Sequence, residues 1–243
     1  MTEFRSIAGP LPPIPDDLTI PQFIFGTHAT RPHRAEAIPW LINADTGRAV
    51  RQAEMLQRTH GLANAMSSRW NITNPAYKTD ELVHQLRTTK AALLITHPAF
   101  LDTAQAAAKE VGLSEDRIVF FEPVSSPTPH TNLEELINHG ISTPRTYTER
   151  RFKAGEAKTT VAFLSFSSGT TGKPKAVAIP HYSVVSNVIQ MTTHYKLNDP
   201  AQKSKHFIPG DVGIAVLPFF HIYGLVVNLH FLLFAGVSVK QEN

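Results

Sequence analysis

The sequence predicts an α/β protein in which helices flank mixed and parallel sheets, and three observations lead to this prediction. Strand-like and helix-like segments alternate between residues 79 and 121, which is the pattern of a parallel α/β sheet. A content of 42% hydrophobic and 18% charged residues is ordinary for a globular protein with a buried core. The chain has no cysteine, so disulfides, thiolate–zinc sites and cysteine nucleophiles are excluded.

The first part of the chain predicts an extended lead-in, one strand and one helix. Five prolines between residues 10 and 21 favour extended backbone over a helix. Trp40–Asn43 is a candidate strand, and the Asp-Thr-Gly sequence that ends at Gly47 predicts a turn after it. The composition of Ala49–Ser67 then predicts a helix.

The alternating region contains two predicted helices and two predicted strands. Thr79 can cap a helix that runs through Leu86, with acidic residues in its first turn. Ala92–Ile95 has the apolar composition of a buried strand. A second helix is predicted between the Pro98 start signal and a glycine stop at residue 112, and Ile118–Phe121 is the next strand.

Signals for regular structure become weaker after residue 122. Three prolines in Pro123–Pro129 predict a loop. Leu133–Ile137 is at best a short helix, and Gly140–Lys158 is polar and irregular. We therefore expect an exposed connection here rather than a domain boundary.

Val212–Val239 contains no Asp, Glu, Lys or Arg and is long enough to span a bilayer. Pro218 and several glycines interrupt it, and buried elements of α/β proteins are equally apolar. The interruptions predict a strand, a loop, a helix and a strand, at Gly213–Leu217, Pro218–Ile222, Tyr223–Phe234 and Val237–Val239. A soluble domain is the preferred interpretation, and a membrane-associated protein is the alternative.

Charge and terminal sequences bear on partners and location. The net charge of +3 is small, and the one tight basic run, at residues 150–153, fits a solvated loop better than a nucleic-acid patch. The first residues lack the apolar core of a secretion signal, and the last residues are not a peroxisomal Ser-Lys-Leu address. We expect a cytoplasmic protein that does not bind nucleic acid.

The most informative segment joins two β-rich runs, Thr160–Phe166 and Ala176–Ile179, through a loop of small and hydroxylated residues. Its glycines allow close approach of the backbone to a ligand, and its N–H groups, hydroxyls and lysines suit phosphate oxygens. A Walker loop is excluded, because only two residues separate Gly169 from Gly172 and no helix follows. A flexible linker is the weaker alternative, since apolar runs flank the loop on both sides.

Three ordered motifs resemble the adenylate-forming, or AMP-binding, superfamily, and in particular its coumarate–CoA ligase branch of acyl-CoA synthetases. They are Ser167-Ser-Gly-Thr-Thr-Gly-x-Pro-Lys175, Leu217-Pro-Phe-Phe-His-Ile-Tyr-Gly-Leu225 and the Asn-Pro-x-Tyr segment with its following helix, residues 74–86. The resemblance implies a ligase that uses ATP, Mg²⁺ and coenzyme A to convert a carboxylic acid to an acyl-adenylate and then to a thioester. An intact relative could also be peroxisomal.

The resemblance also implies roles for individual residues. The phosphate-binding residues would be Ser167, Ser168, Gly169, Thr170, Thr171, Gly172 and Lys175. Thr171 would help to place Mg²⁺, and Lys175 would neutralise charge during catalysis. His221 would lie beside the carboxylate channel and move between the half-reactions, and Tyr223 would line the acyl pocket. A histidine that is merely packed in a loop is the alternative for His221.

Two departures from the family pattern lead to further expectations. Ala176 replaces a glycine that relatives usually have. Around residues 67–73 the family pattern predicts that a strand and a helix are deleted, which would expose apolar faces such as Ala92–Ile95 and Tyr223–Phe234. The chain also ends at Asn243, before the family's adenine, ribose and C-terminal motifs.

We therefore expect residues 1–243 to form a partial N-terminal AMP-binding domain that is inactive by itself. A non-catalytic remnant, which binds nucleotide weakly or serves as an interaction fragment, is the alternative function.

Overall fold

The computed structural model describes residues 9–67, 72–73, 79–167, 174–197, 199, 201 and 206–241. They form two compact units. The first combines Met1–Met55, Arg150–Ser168 and Val177–Asn243, and the second combines Leu56–Glu149 and Gly169–Ala176. Both contain helices and strands, so the predicted α/β class is confirmed.

The secondary structure elements are numbered in chain order. The helices are α1 (Ile20–Phe25), α2 (Gln52–Ser67), α3 (Thr79–Thr89), α4 (Leu101–Val111), α5 (Leu133–Ser142), α6 (His181–His194) and α7 (Leu232–Phe234). A π-helix, Gly224–Phe231, leads directly into α7. The strands are β1 (Leu41–Asn43), β2 (Ala49–Val50), β3 (Ile72–Thr73), β4 (Leu93–Thr96), β5 (Ile118–Phe120), β6 (Val161–Ser167), β7 (Lys175–Pro180), β8 (Val212–Ile214) and β9 (Ser238–Gln241). Three short 3₁₀ turns lie at Pro98–Phe100, Glu115–Arg117 and Glu156–Lys158.

A four-stranded sheet with the order β2-β1-β9-β8 organises the first unit. β1 and β2 are antiparallel and are joined by a turn at Gly47, whose φ of 69° is a conformation that glycine adopts at little cost. β9 is parallel both to β1 and to β8, with Leu41 opposite Val239 and Val212 opposite Ser238. The sheet thus pairs β1, which lies early in the chain, with β9, which ends the described residues.

Helices supply most of the first unit's core. Thr19 caps the start of helix α1: its hydroxyl accepts the Gln22 N–H while the Gln22 side chain accepts the Thr19 N–H, a capping box that satisfies two free donors. Phe23 of α1 stacks on Phe234 with ring centroids 4.6 Å apart. The largest fully buried side chains of this unit are aromatic: Phe23, Trp40, Phe231 and Phe234.

The second unit contains a parallel sheet with the order β3-β4-β5. Leu93, Leu94 and Val119 of its strands are completely buried. Helix α4 ends at Gly112, which has the left-handed φ of 75° and donates its N–H to the preceding turn, as the sequence predicts. The alternation of strand and helix between residues 79 and 121 is therefore confirmed.

Helices α2 and α5 of the second unit meet at two glycines. A Cβ atom on Gly140 would lie 1.8 Å from the carbonyl oxygen of Gly61, so neither helix could approach the other this closely with a larger residue. Beside this contact the buried Asn64 amide donates to the Gly140 carbonyl and accepts the N–H groups of Thr146 and Tyr147. These bonds fix the polar segment after α5.

Several predicted elements differ from the observed ones. The helix predicted at Leu133–Ile137 extends to Ser142, and a capping box of Asn132 and Glu135 stabilises its start. The helix predicted over Ala49–Ser67 begins only at Gln52, after the short strand β2. Strand β3 lies in the segment around residues 67–73 where a deletion is predicted, and the deletion itself stays a prediction. No sequence pattern above predicts α6.

The predicted exposure of the apolar faces of Ala92–Ile95 and Tyr223–Phe234 is wrong for both, apart from Tyr223 itself, which is 53% exposed. Leu93, Leu94 and most of Gly224–Phe234 are buried, contrary to expectation. Val212–Val239 is divided into β8, a turn, the helices and β9, which confirms the predicted interruptions. No helix in the described part of the chain is both apolar and long enough to cross a membrane.

Candidate functional site

Strands β6 and β7 flank the predicted phosphate loop and are neighbours in a two-stranded sheet. β6 ends at Ser167 and β7 begins at Lys175, and both side chains are exposed to solvent. The five other predicted phosphate ligands, Ser168, Gly169, Thr170, Thr171 and Gly172, lie outside the described residues. The structure therefore describes the two ends of the predicted site.

Packing within the first unit fixes the strands. The N–H of His181, the first residue of α6, donates to the Thr160 carbonyl just before β6. The ring of Phe163 on β6 lies 5.9 Å from the ring of His230, and Pro180 ends β7 where α6 begins. These contacts attach β6 to α6 and to the π-helix, and β7 leads directly into α6.

In the second unit, helix α3 contacts the residue that precedes Lys175. The Nε2 atom of His84 lies 2.9 Å from the carbonyl oxygen of Pro174. A carbonyl oxygen only accepts hydrogen bonds, so the His84 proton on Nε2 is donated to Pro174. His84 is part of the segment, residues 74–86, that resembles the ligase family, but neither its type nor its position suggests this bond in advance.

A groove of about 380 Å³ surrounds this bond. Its lining residues are Asp80, Glu81, Val83, His84, Arg87, Glu110 and Pro174. Arg87 and Glu110 form an ion pair with a 3.1 Å separation. The groove is therefore lined by α3, by Glu110 of α4 and by Pro174, the residue before β7.

His221 occupies the entrance of the π-helix and is exposed. Its Nδ1 atom accepts the backbone N–H of Tyr223 at 3.2 Å. The backbone N–H of His221 donates to the Pro218 carbonyl at 3.0 Å. His221 thus caps a helical N-terminus. The Nδ1 lone pair is therefore engaged by the Tyr223 backbone.

A close backbone contact shapes the loop that carries His221. A Cβ atom on Gly224 would lie 2.2 Å from the Pro218 carbonyl oxygen, so this position requires glycine. The contact folds residues 217–224 into a tight turn that leaves Tyr223 and Phe220 exposed. The predicted acyl-pocket residue Tyr223 therefore lies next to His221 on the surface of the first unit.

Other histidines of the first unit, His28, His181 and His230, are packed against neighbouring residues. Burial lowers the pKa of His28, His181 and His230 below the ordinary value. The Nδ1 atom of His181 accepts the Ile20 N–H, and the Nδ1–H of His230 donates to the Leu225 carbonyl. Among the residues that the structure describes, no group of three or more His, Asp or Glu side chains could hold a metal ion.

Known structures share this fold. The chain is similar to a red-emitting luciferase of Phrixothrix hirtus, with a TM-score of 0.68 and 17% identity over 95% of this chain and 48% of that one. It is also similar to the anthranilate–CoA ligase AuaEII in complex with anthranoyl-AMP, with a TM-score of 0.70 and 18% identity over 93% of this chain and 45% of that one. Both likenesses extend through nearly all of the present sequence.

Sequence comparison finds curated relatives. A phenylacetyl-CoA ligase of Aspergillus niger is 36% identical over 61% of this chain and 26% of its own length. The 4-coumarate–CoA ligase 3 of Arabidopsis thaliana is 32% identical over 68% of this chain and 27% of its own length. An acyl-CoA ligase of Alternaria alternata is 25% identical over 93% of this chain and 46% of its own length.

The chain therefore spans between about a quarter and a half of the curated relatives that it matches. The model of the AMP-binding enzyme family matches residues 51–240, a range that includes β6, β7 and the His221 turn. This chain belongs to the AMP-binding enzyme family.

Proposed function

We propose that this chain supplies the phosphate-binding part of an acid–CoA ligase of the coumarate–CoA ligase type. The family match over residues 51–240 is the observation on which the proposal rests. In support of the proposal, relatives named as phenylacetyl-CoA and 4-coumarate–CoA ligases match 61% and 68% of this chain. The exposed ends of β6 and β7 leave Ser167 and Lys175 accessible to a ligand.

The proposed reaction has two steps. A carboxylate oxygen attacks the α-phosphorus of ATP, the bond to the bridging oxygen of the β-phosphate breaks, and pyrophosphate leaves. The sulfur of coenzyme A then attacks the acyl carbon and loses its proton to solvent, the bond from the acyl carbon to the phosphate oxygen breaks, and AMP leaves as the anion. Because an anion attacks a polyanion in the first step, the protein acts mainly by positioning the reactants and neutralising their charge.

The residues of the phosphate loop fit the first step. Hydroxyls and backbone N–H groups between Ser167 and Gly172 would bind the β- and γ-phosphates, and Lys175 would neutralise negative charge. Mg²⁺ prefers oxygen ligands and usually binds through substrate phosphates with few protein ligands. The Thr171 hydroxyl would be one such ligand.

His221 and Tyr223 would act on the acid rather than on the phosphates. A carboxylate is already ionised at neutral pH and needs no general base. The capping bond between His221 Nδ1 and the Tyr223 N–H supports a role in shaping the path of the acid. Exposed aromatic side chains at Phe220 and Tyr223 suit an apolar or aromatic acyl group.

Equilibrium titration of the purified chain with MgATP tests the proposal. We expect saturable binding that the double substitution of Thr170→Val and Thr171→Val abolishes, because valine keeps the shape but removes the hydroxyls. Lys175→Ala should weaken affinity at least about tenfold, since charge-assisted hydrogen bonds are among the strong ones. Lys109→Ala, on the exposed surface of α4, is the matched control and should leave affinity unchanged. Binding that survives the double substitution would overturn the assignment of the loop.

A further inference from the structure

We propose that His84 is a positioning residue for Lys175, a role that rests on the proposed phosphate-binding function. The bond that carries this inference joins the Nε2–H of His84 to the carbonyl oxygen of Pro174, which is 90 residues away in the sequence. That carbonyl belongs to the peptide group whose nitrogen is the nitrogen of Lys175. The helix α3 is thereby attached to the backbone of the proposed phosphate-binding lysine.

The geometry explains why this one bond can orient Lys175. A peptide group is planar, so a hydrogen bond to its oxygen fixes the plane that ends at the Lys175 Cα atom. The pyrrolidine ring of Pro174 fixes φ of Pro174, the torsion on the far side of its Cα atom. Together the two restraints limit the orientations of the peptide group from which the Lys175 Cα atom projects before a ligand binds.

Among the described side chains of the groove, His84 is the one placed to supply the donor. Asp80, Glu81 and Glu110 accept hydrogen bonds when ionised but do not donate them, and Val83 is apolar. Arg87 is paired with the Glu110 side chain and also donates to the Glu110 carbonyl. The half-buried imidazole of His84 is further restrained by its position on α3, a helix whose Leu82, Val83 and Leu86 are buried.

This role predicts an effect on nucleotide affinity that depends on Lys175. Catalytic and binding groups lose effectiveness when small displacements spoil their geometry, so a free Pro174 carbonyl would leave Lys175 less well aimed. The helix itself does not need the bond, because its buried apolar side chains remain in place. A purely structural histidine would instead affect stability, with any loss of binding independent of Lys175.

The experiment measures MgATP affinity and thermal stability for a set of variants of the full chain. His84→Phe keeps a planar ring without a donor, and His84→Gln restores an N–H donor. We expect His84→Phe to weaken MgATP binding about tenfold, the scale of one lost hydrogen bond, and His84→Gln to recover part of it. His139→Phe replaces an exposed histidine on α5 of the same unit and should have no effect.

A double-mutant cycle separates positioning from general damage. In the Lys175→Ala background, His84→Phe should change MgATP affinity little, because its effect passes through the missing lysine. An equal loss in both backgrounds would overturn the positioning role. Should His84→Phe fail to fold, His84→Leu, which also lacks a donor, takes its place in the cycle.

The outcomes distinguish this inference from the proposed function. Absence of MgATP binding by the unmodified chain would overturn the proposed function and this role with it. Binding by the unmodified chain that both His84→Phe and His84→Leu leave unchanged would overturn the role of His84 alone. A loss in His84→Phe that His84→Gln recovers, together with a flat response in the Lys175→Ala background, would establish it.

Discussion

Two halves of one charge-free stretch have opposite environments in this protein. In the first half, residues 212–223, Val216 is 80% exposed and Ile214 is 64% exposed. In the second half, residues 224–239, Phe231 and Phe234 are completely buried. Both halves are apolar, so hydropathy by itself does not decide which of them enters the core.

The difference follows from the neighbours of each half. Within the described residues, β8 pairs with β9 on one side. Side chains alternate between the two faces of a strand, and the face that carries Gly213 packs on Leu232, since a Cβ atom there would lie 2.8 Å from its Cδ1 atom. Val212 and Ile214 consequently point away from this contact. The second half, in contrast, is enclosed by α1, α6 and the sheet.

Phe234→Ala should give the largest effect, because it removes a buried ring from the second half. Phe234 stacks on Phe23 and lies below the Arg31 guanidinium, whose carbon is 5.6 Å from the ring centroid. We expect a loss of about 3–5 kcal/mol in the free energy of unfolding, the usual cost of a Phe→Ala change in a core. Urea unfolding monitored by circular dichroism measures it.

Val216→Ala is the matched change in the first half. Its side chain is already exposed, so the free energy of unfolding should change by about 0.5 kcal/mol or less. Similar losses at Phe234 and Val216 would contradict the contrast between the two halves.

Gly224→Ala tests the junction between the halves and should have an intermediate effect. Helix propensity alone favours alanine by about 1 kcal/mol, whereas the close Pro218 carbonyl opposes any Cβ atom. Because backbone must move to admit the methyl group, we expect a net destabilisation of about 1–3 kcal/mol. Urea unfolding measures this change as well, and a variant more stable than the original chain would show that the turn is not restricted by this contact.

His230 lies in the buried second half and should make the free energy of unfolding depend on pH. Burial lowers the pKa of His230 in the folded chain, although its bond to the Leu225 carbonyl opposes the shift. The unfolded chain therefore takes up this proton first as the pH falls below about 6.5, and stability is lost in that direction. Well above that pH His230 is neutral in both the folded and the unfolded chain, so it adds no further pH dependence to the free energy of unfolding.

His230→Gln should flatten the pH dependence of the unfolding free energy below pH 6.5. The contributions of His28 and His181 remain in both proteins, so the difference between the two urea-unfolding series isolates His230. An unchanged slope would contradict the cause assigned to this shift.

The sequence by itself determined the elements with strong local signals. Pro98 and Gly112 delimit a helical region because proline suits a first turn and glycine suits a left-handed end. The alternation of strands and helices between residues 79 and 121 predicted the parallel sheet of the second unit. The motifs at residues 167–175 and 217–225 identified the AMP-binding family, because their residue types and order are specific.

Tertiary structure decided the features that local signals leave open. Helix α6 contains valines at positions 184, 185 and 188, which have modest helix propensity, and their complete or near-complete burial stabilises the helix. Exposure of residues 212–223 depends on which face of β8 is covered. The predicted roles of Ser167, Lys175, His221 and Tyr223 stay predictions, as do those of the loop residues outside the described range.

The bond between His84 and Pro174 is the clearest case of what only the tertiary structure reveals. The sequence shows a histidine on a predicted helix and a proline next to a motif lysine, with 90 residues of sequence separation. A hydrogen bond depends on distance and direction between two groups, and these are set by the packing of α3 rather than by either local sequence. Local chemistry thus specified the elements and the family, and long-range packing specified which groups meet.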